Sequence, residues 1–314
     1  MIFLTMFLLI CMKTKRMGFG AKIKRAIKNP EITIKGTYQK IDQSAGKAIF
    51  GNTVGMKHNL HGTINLMKNS RSTSKSNDPL IEQFKVNGYL KLEFNYDKSL
   101  IDKIRTKYDK MIEDDKFSFG TGQHNGKFYK RQLIDAHLSI PELSSLLTDE
   151  LIKIVEQYYG GYFLVRIDLW RNYHIPPELQ QNDLISNVWH CDNRKTDRLK
   201  LFVNLSDVTE KDGPFHLQSI PRTKELMKMK FNNRVDYGIP MEVLEDPKHV
   251  VKFMGTRGSA ILGNTTTCLH KAGNPQTTRD MIQFLFRSSE KPLSKDWIKD
   301  VIHVGPDAIN TTEE

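Results

Sequence analysis

Cysteine is scarce in this sequence. Its 314 residues include only Cys11, Cys191 and Cys268, and an odd set of three cannot build the disulfide framework of a small secreted domain. The count suits a reducing compartment, so we expect a cytoplasmic protein. Hydrophobic residues are 39% and charged residues 26% of the chain, an ordinary balance for a globular protein with a hydrophobic core.

Apolar runs long enough to cross a membrane are also missing. The run at residues 1–12 (MIFLTMFLLICM) is shorter than the roughly 20 residues that a spanning helix needs. Its positive charges follow the run instead of preceding it, which is unlike a signal peptide. We interpret this run as lying upstream of a native start at Met12 or Met17.

Acidic residues are nearly absent from the first quarter of the chain. Residues 1–78 carry 14 Lys and Arg against three Asp and Glu, whereas the remaining residues carry 33 of each. The net charge of +11 therefore belongs to a basic tail, whose Lys, Asn, Ser and Thr content predicts a largely unstructured segment. Nucleic-acid binding needs a basic face on the folded domain and is not expected. A weak contact between this tail and an anionic membrane stays open.

Helical patterns come first in the body of the chain. Asp78 and Pro79 have the character of an N-cap and a first helical residue, and Gly88 is expected to end that helix. Apolar residues at helical spacing predict two further helices, at 100–112 and 141–158, with a glycine-punctuated loop between them.

Short strands dominate the rest of the chain. The runs predicted as strands are 89–94, 162–174, 186–192, 199–205, 214–220, 259–264 and 279–287. Leading helices followed by many short strands predict a mainly β fold, with the helices packed outside a sandwich or jelly roll. We assign the folded domain to 79–290 and a C-terminal extension to 291–314.

Two candidate metal ligands lie in the predicted strand 186–192. Alternate side chains of a strand share a face, so His190 and Asp192 should point one way while Trp189 and Cys191 point the other. A third ligand from another strand would complete the two-histidine, one-carboxylate set that leaves three positions open on iron(II). By itself, a His-x-Asp pair arises readily by chance in a chain with 10 histidines.

Further candidates lie downstream. His270 follows the apolar strand 259–264, and Arg279 opens the strand 279–287, where it shares a face with Met281 and Gln283. An arginine in an apolar strand is costly to bury without an anionic partner. A dicarboxylate gripped by both arms of the guanidinium would be such a partner.

These segments resemble the phytanoyl-CoA dioxygenase family of iron(II)/2-oxoglutarate oxygenases. The resemblance is carried by residues 188–224 (VWHCDNRKTDRLKLFVNLSDVTEKDGPFHLQSIPRTK) and 255–287 (GTRGSAILGNTTTCLHKAGNPQTTRDMIQFLFR), and it extends over about 79–290. One departure is the segment 221–224, Pro-Arg-Thr-Lys, where the family often has Pro-Gly-Ser-His.

The resemblance implies a double-stranded β-helix core (jelly roll, cupin-like) with N-terminal helices packed outside. The metal ligands that it implies are His190, Asp192 and His270. The co-substrate contacts are Arg279 for 2-oxoglutarate and, from strand phase alone, Asn204, Thr267 and Gln283. Dioxygen is the second co-substrate, and ascorbate is a candidate stimulant. The expected reaction is hydroxylation of a small-molecule or lipid-like substrate, with release of succinate and carbon dioxide.

Three alternatives remain at this point. Cys191 and Cys268 are zinc-type ligands, although Cys191 should face away from His190 and neither belongs to a Cys-x-x-Cys pair. A non-oxidative cupin-like isomerase or binding barrel would use the same fold but gives Arg279 no role. An interaction protein would act through the basic tail on a membrane or a nucleic acid.

The tail hypothesis yields a first prediction. Deleting residues 1–78 should leave catalysis on a small soluble substrate intact, because the helix signals of the domain begin at Asp78-Pro79. Any binding to anionic vesicles in a sedimentation assay should vanish with the tail and weaken with salt, since exposed charges are screened beyond about 8 Å at physiological ionic strength. An inactive or insoluble truncation would show instead that the tail packs on the domain.

Overall fold

A computed structural model describes residues 78–305, except 93–94, 193–197, 230, 232–238, 290 and 295. The chain divides into two compact units, 1–57 and 58–314, and before residue 78 only five isolated helical positions are described. The predicted basic tail therefore lies almost entirely outside the described residues, as does the end of the C-terminal extension. In the described part of the chain, no helix has the length and apolarity needed to cross a membrane.

Ten strands and six α-helices make up the described domain. The helices are α1 (Pro79–Asn87), α2 (Lys98–Asp109), α3 (Ala136–Ser139), α4 (Asp149–Tyr159), α5 (Ile220–Lys228) and α6 (Met241–Leu244). The strands are β1 (Tyr89–Lys91), β2 (Ser118–His124), β3 (Lys127–Leu133), β4 (Tyr162–Tyr173), β5 (Arg198–Asn204), β6 (Phe215–Gln218), β7 (Val250–Phe253), β8 (Ala260–Asn264), β9 (His270–Ala272) and β10 (Thr278–Ser289). Short 3-10 helices cover Pro141–Leu146, Pro177–Leu179, Glu210–Asp212 and Trp297–Asp300.

Helix α1 begins and ends where its sequence predicts. The Asp78 side chain accepts a hydrogen bond from the Leu80 amide at 3.0 Å, Pro79 occupies the first turn, and Gly88 ends the helix at φ 82°. A left-handed residue after the last turn favours glycine because any Cβ would be strained there.

The strands form two antiparallel sheets. The larger has the order β1-β8-β5-β10-β4-β3-β2, and the smaller has the order β7-β6-β9. A hydrophobic cluster lies between them and joins Trp170, Phe202 and Met281 of the large sheet to Phe215 and Leu217 of the small one. The mainly β fold class is confirmed, and the two facing sheets are those of a double-stranded β-helix.

The N-terminal helices α2 and α4 pack on the outer face of the large sheet, as predicted. Tyr159 of α4 donates its hydroxyl to the Phe286 carbonyl at 3.0 Å, and Tyr108 of α2 donates to the Asp280 carboxylate at 2.8 Å. Ile282 and Phe284 lie on the same outer face of β10 and are fully buried. The inner face, which carries Arg279, is left for the space between the sheets.

Three predicted elements differ from the structure. The glycine-punctuated loop is the β2–β3 hairpin, and its turn is Asn125-Gly126, both at positive φ, which is the dipeptide that two-residue hairpin turns favour. The helix predicted from Pro141 is split: a 3-10 helix ends at Leu146, and Thr148 caps the new helix α4. The segment 186–192 is not a regular strand, because only His190 forms a β-bridge there.

Arg171 connects helix α2 to the large sheet. Its guanidinium binds the buried Asp280 carboxylate through Nε at 2.8 Å, and also Asp109 at 3.1 Å and Glu113 at 2.9 Å. Asp280 has an exposure of only 4%, and its carboxylate accepts hydrogen bonds from Arg171 and Tyr108.

Because of this connection, we expect replacement of Arg171 to destabilise the protein much more than replacement of Arg105, an exposed arginine of α2. Arg171→Met should lower the free energy of unfolding by about 3 kcal/mol, because it leaves a buried carboxylate without its cation. The control Arg105→Met removes only an exposed pair with Asp109 on α2 and should cost less than about 0.5 kcal/mol. Urea denaturation measures both, and equal costs would contradict the role assigned to Arg171.

Candidate functional site

The two predicted histidine ligands are joined through their backbones. The His190 amide donates to the His270 carbonyl at 3.0 Å, and the His270 amide donates to the His190 carbonyl at 2.9 Å. This isolated antiparallel bridge lies at the edge of the small sheet, where His270 opens β9. It places two imidazoles 4.3 Å apart, measured between ring centroids, although they are 80 positions apart in the chain.

Each imidazole is oriented by a carbonyl two residues before it. His190 Nδ1 lies 2.7 Å from the Val188 carbonyl, and His270 Nδ1 lies 3.0 Å from the Cys268 carbonyl. A proton on Nδ1 satisfies each carbonyl and leaves the lone pair on Nε2, which is the arrangement that metal-binding histidines use. Both Nε2 atoms are turned toward Asp192 Oδ1, at 3.9 and 3.7 Å.

Asp192 is held so that one oxygen faces the histidines. Its Oδ2 accepts from the Thr265 hydroxyl and lies 2.7 Å from Lys200 Nζ, and its backbone amide donates to the Thr265 carbonyl. Burial alone would raise the pKa of Asp192, but the adjacent Lys200 ammonium lowers it well below its usual value. The side chain is therefore a carboxylate that presents Oδ1 to the ring nitrogens.

The three side chains are placed so that they could hold a metal ion together, and we call them the metal set. One ligand atom from each of His190, Asp192 and His270 lies within 4.8 Å of the others. Burial and the neighbouring His190 lower the pKa of His270 to about 3, so its ring is neutral, as a metal ligand must be. Two imidazole nitrogens and one carboxylate oxygen fit a divalent transition metal with open positions.

The residues that alternate with the ligands face away from this set. Trp189 and Cys191 pack with Leu226 and Leu269 in a separate core cluster, as the sequence predicted. Cys268 is buried in the cluster between the sheets. Among the described residues, the only group with metal-binding geometry contains neither cysteine, which disfavours the zinc alternative.

Glu245 joins the segments on both sides of the histidine bridge. Its carboxylate accepts from the Trp189 indole nitrogen at 2.8 Å and pairs with the Lys271 ammonium. Trp189 directly precedes His190 in the sequence, and Lys271 directly follows His270. The contact therefore fixes both ligand segments from the side opposite the metal set.

The metal set opens into a cavity of about 310 Å³ between the sheets. Its polar lining residues are Thr121, Lys130, Gln132, Arg166, Asp168, Asn172, Ser186, Lys200, Arg279 and Gln283. Its apolar lining residues are Trp170, Ile185, Phe202, Phe215, Ala272 and Met281. The volume is at the small end of the range for ligand pockets, roughly 300–1,000 Å³.

Arg279 is buried at one end of this cavity. Its exposure is 2%, one arm donates to the Gly213 carbonyl, and Nε has no hydrogen-bond partner. Burial lowers the pKa of Arg279 to about 10, and no carboxylate of the described residues forms an ion pair with it. The guanidinium is therefore still a cation near neutral pH, and it lacks the anion that would offset its burial.

The other predicted co-substrate contacts are placed differently. Gln283 lines the cavity, where its amide donates to Asp168 Oδ2 at 2.7 Å. Asn204 and Thr267 lie outside the cavity lining. Asn204 is fully buried beside Gly255, and neither its amide oxygen nor its amide nitrogen has a hydrogen-bond partner.

Sequence reasoning missed most of the polar residues on the cavity floor. Asp168 accepts from Gln132 at 2.6 Å, from Arg166 at 2.9 Å and from Gln283. Lys130 Nζ lies 4.3 Å from the centroid of the Trp170 ring. The available signal in the sequence is the alternation of polar residues along β4 at Arg166, Asp168 and Asn172, which places these three side chains on one face of the strand.

Comparison with known proteins identifies the fold. No family model matches the sequence, and no curated protein matches it. Among solved structures, the non-heme alpha-ketoglutarate-dependent epimerase SnoN from nogalamycin biosynthesis superposes with a TM-score of 0.52 at 14% identity, over 73% of this chain and 91% of that chain. SnoN in complex with Fe3+, alpha-ketoglutarate and nogalamycin RO gives 0.51, also at 14% identity and with the same coverage. EctD from S. alaskensis gives 0.49 at 15% identity, over 72% of this chain and 82% of that chain.

The geometry of the metal set yields a prediction that requires no substrate. His190→Ala, Asp192→Ala and His270→Ala should each weaken anaerobic iron(II) binding by at least about tenfold, or about 1.4 kcal/mol, while the circular dichroism spectrum stays unchanged. His249→Ala is the control, because that ring is exposed and lies 3.9 Å from Asp246 on the surface. Binding by all three variants at the affinity of the parent protein would place the metal elsewhere.

Proposed function

We propose that this protein is an iron(II)- and 2-oxoglutarate-dependent oxygenase of the phytanoyl-CoA dioxygenase type. The observation that carries the proposal is a buried cation without an anion, Arg279, in the same small cavity as a two-histidine, one-carboxylate set. A metal barrel that binds no dicarboxylate has no use for such an arginine. The fold shared with the SnoN epimerase is compatible with this chemistry.

His190, Asp192 and His270 are the residues that would hold iron(II). Nitrogen and oxygen ligands of this kind on one side of the metal are typical of non-haem iron oxygenases, which need the opposite positions for co-substrate and dioxygen. Bound iron(II) would supply the oxidative chemistry that consumes 2-oxoglutarate and dioxygen, releases succinate and carbon dioxide, and hydroxylates a C–H group. Lys200 and Thr265 keep Asp192 Oδ2 occupied, so the carboxylate offers the metal one oxygen.

Arg279 would bind the carboxylate of 2-oxoglutarate that is distant from the metal. A guanidinium matches a carboxylate with two parallel hydrogen bonds, and the Nε atom of Arg279 is available for one of them. Lys130 lies level with Arg279, two strands away across the sheet. Asn172 on the strand between them pairs with Arg279 on one side and with Lys130 on the other. We assign Lys130 as a second cation for the co-substrate, resting on the face of Trp170.

Succinate formation tests the proposed reaction class directly. The full chain, with iron(II), ascorbate, 2-oxoglutarate and dioxygen, should release succinate slowly without substrate and faster with a suitable small molecule. A metabolite screen that uses this release as its signal would identify the substrate. A protein that binds iron(II) and 2-oxoglutarate but never forms succinate would instead be a binding barrel.

A further prediction separates co-substrate recognition from metal binding. Arg279→Gln should weaken 2-oxoglutarate binding on the order of 30-fold, because removing one member of a buried charge pair commonly costs 2–5 kcal/mol or so. Arg279→Lys keeps the charge but loses the two-armed geometry, so its affinity for 2-oxoglutarate should lie between those of the parent protein and Arg279→Gln. Lys130→Met should also weaken binding, by less than Arg279→Gln, because an ammonium makes a single-point contact.

The measurement is an anaerobic titration of 2-oxoglutarate into the iron(II) protein, followed by the metal-to-ligand charge-transfer band. Iron(II) affinity without co-substrate should be the same in all these variants, since neither cation is a ligand. Arg257→Gln, which alters a surface arginine paired with Asp102, is the control. If the midpoint of the 2-oxoglutarate titration is unchanged in Arg279→Gln, Arg279 does not bind the co-substrate. If Arg279→Gln weakens iron(II) binding as much as 2-oxoglutarate binding, the role of Arg279 is structural.

A further inference from the structure

Four cations lie together at the end of the large sheet that is distant from Arg279. Along β10, Leu285 pairs with Arg166 on one side and with Lys200 on the other, and Arg287 pairs with Arg198. Directly paired residues of antiparallel strands project from the same face, and this is the face that forms the cavity floor. We call Arg166, Arg198, Lys200 and Arg287 the basic end.

Within the basic end, Arg287 lacks a carboxylate partner among the described residues. Arg166 is paired with Asp168 at 2.9 Å, and Lys200 is paired with Asp192 at 2.7 Å. Arg287 has no ion pair with any described residue, and two of its nitrogens, Nε and one terminal nitrogen, are buried without a hydrogen-bond partner. Burial lowers the pKa of Arg287, and the nearby Arg198 and Arg166 lower it further.

A half-buried guanidinium among like charges is unfavourable unless something compensates it. Like charges at directly opposed positions of a sheet destabilise the pairing, and buried donors without acceptors lose the hydrogen bonds that water would supply. The same features are favourable when an oxyanion binds, because its oxygens accept several of these hydrogen bonds at once. The basic end is thus organised for a ligand rather than for stability.

We propose that the basic end binds an oxyanion group of the substrate, a phosphate, sulfate or carboxylate, and that the substrate is accordingly a small anionic molecule. The identification of the ligand as substrate rests on the proposed function; the anion site itself does not. Arg166 and Lys200 belong both to the basic end and to the cavity lining. A molecule anchored there would extend into the cavity beside the metal set.

The charge of the cavity agrees with this assignment. Its lining contains four cations, Lys130, Arg166, Lys200 and Arg279, against the two carboxylates Asp168 and Asp192. A dication at the metal set and the dianion 2-oxoglutarate offset each other, so the excess of positive charge persists when both are bound. An uncharged acyl chain would leave this excess uncompensated in a cavity of about 310 Å³, which favours a polar anion over a lipid-like substrate.

Direct binding of simple anions tests the proposal. Inorganic phosphate, sulfate and acetate are titrated calorimetrically into the full chain, once without metal and once with manganese(II) and 2-oxoglutarate. We expect saturable binding that Arg287→Met weakens by about tenfold or more, as expected for lost charged hydrogen bonds, with Arg287→Lys in between. Arg105→Met, on the surface of α2, should bind like the parent. Preference for phosphate and sulfate over acetate indicates a dianionic ester, and the reverse indicates a carboxylate.

Thermal unfolding in an anion-free buffer gives an independent readout. Because Arg287 has no side-chain partner among the described residues, Arg287→Met should be at least as stable as the parent, whereas a structural arginine would lose stability on truncation. Lower stability of Arg287→Met, no saturable binding of any of the three anions, or equal affinity in parent and Arg287→Met would each overturn the proposal.

The two proposals can fail separately. If anion binding depends on Arg287 but the protein forms no succinate, the anion site is supported and the oxygenase assignment is wrong. Succinate formation by a protein whose anion binding is independent of Arg287 would keep the oxygenase assignment and remove the anion site.

Discussion

The pair of backbone hydrogen bonds between His190 and His270 is the constraint on which the site depends. It joins a segment that lacks regular strand structure to the first residue of β9, and no other described contact pairs the two histidines so directly. With this bridge in place, the two imidazoles and Asp192 lie within 4.8 Å. Thr265 and Glu245 then fix the bridge from its two sides, through Asp192 in one case and through Trp189 and Lys271 in the other.

The inner face of the large sheet carries charged side chains at a cost in stability. A jelly roll could fill the space between its sheets with apolar side chains alone, as its outer face does around Ile282 and Phe284. Instead β4 and β10 place Arg166, Asp168 and Arg279 there. Buried charges of this kind cost free energy in the empty protein, so the energy of the apolar outer face and of the helices that cover it must offset them. Such an arrangement is characteristic of a ligand site.

Strong local signals made much of the fold predictable. The Asp78-Pro79 cap, the amphipathic helix α2 and the alternation along β10 each depend on neighbouring residues, so their chemistry is visible in the sequence. The β2–β3 hairpin was missed although Asn125-Gly126 is a recognised turn pair, because the glycines nearby suggested a loop. The split before α4 was missed because helical spacing continues through Leu146 and Leu151, and only the cap at Thr148 distinguishes two helices from one.

The candidate site was predictable only in part, because some of its contacts join residues that are far apart in the chain. The spacing of His190 and Asp192 and the resemblance around His270 and Arg279 depend on residues close together in the chain. Lys200 and Thr265 act on Asp192 from β5 and from the end of β8, and a single sequence does not reveal that register. Asn204 has the right strand phase for the cavity face, yet it lies beyond the cavity lining, since phase fixes the side of the sheet and not the position along it.

The short contact from each histidine to a carbonyl two residues earlier makes the orientation of both imidazole rings a local property of the chain. His190 uses Val188 and His270 uses Cys268, so the orientation of each ring is encoded within three consecutive residues and needs no side chain from the cavity floor. The floor, on β3, β4, β5 and β10, can therefore exchange its polar residues without turning either imidazole. Evolution or design could therefore change the polar residues of this sheet to suit a new ligand, provided that Lys200 is kept to hold Asp192.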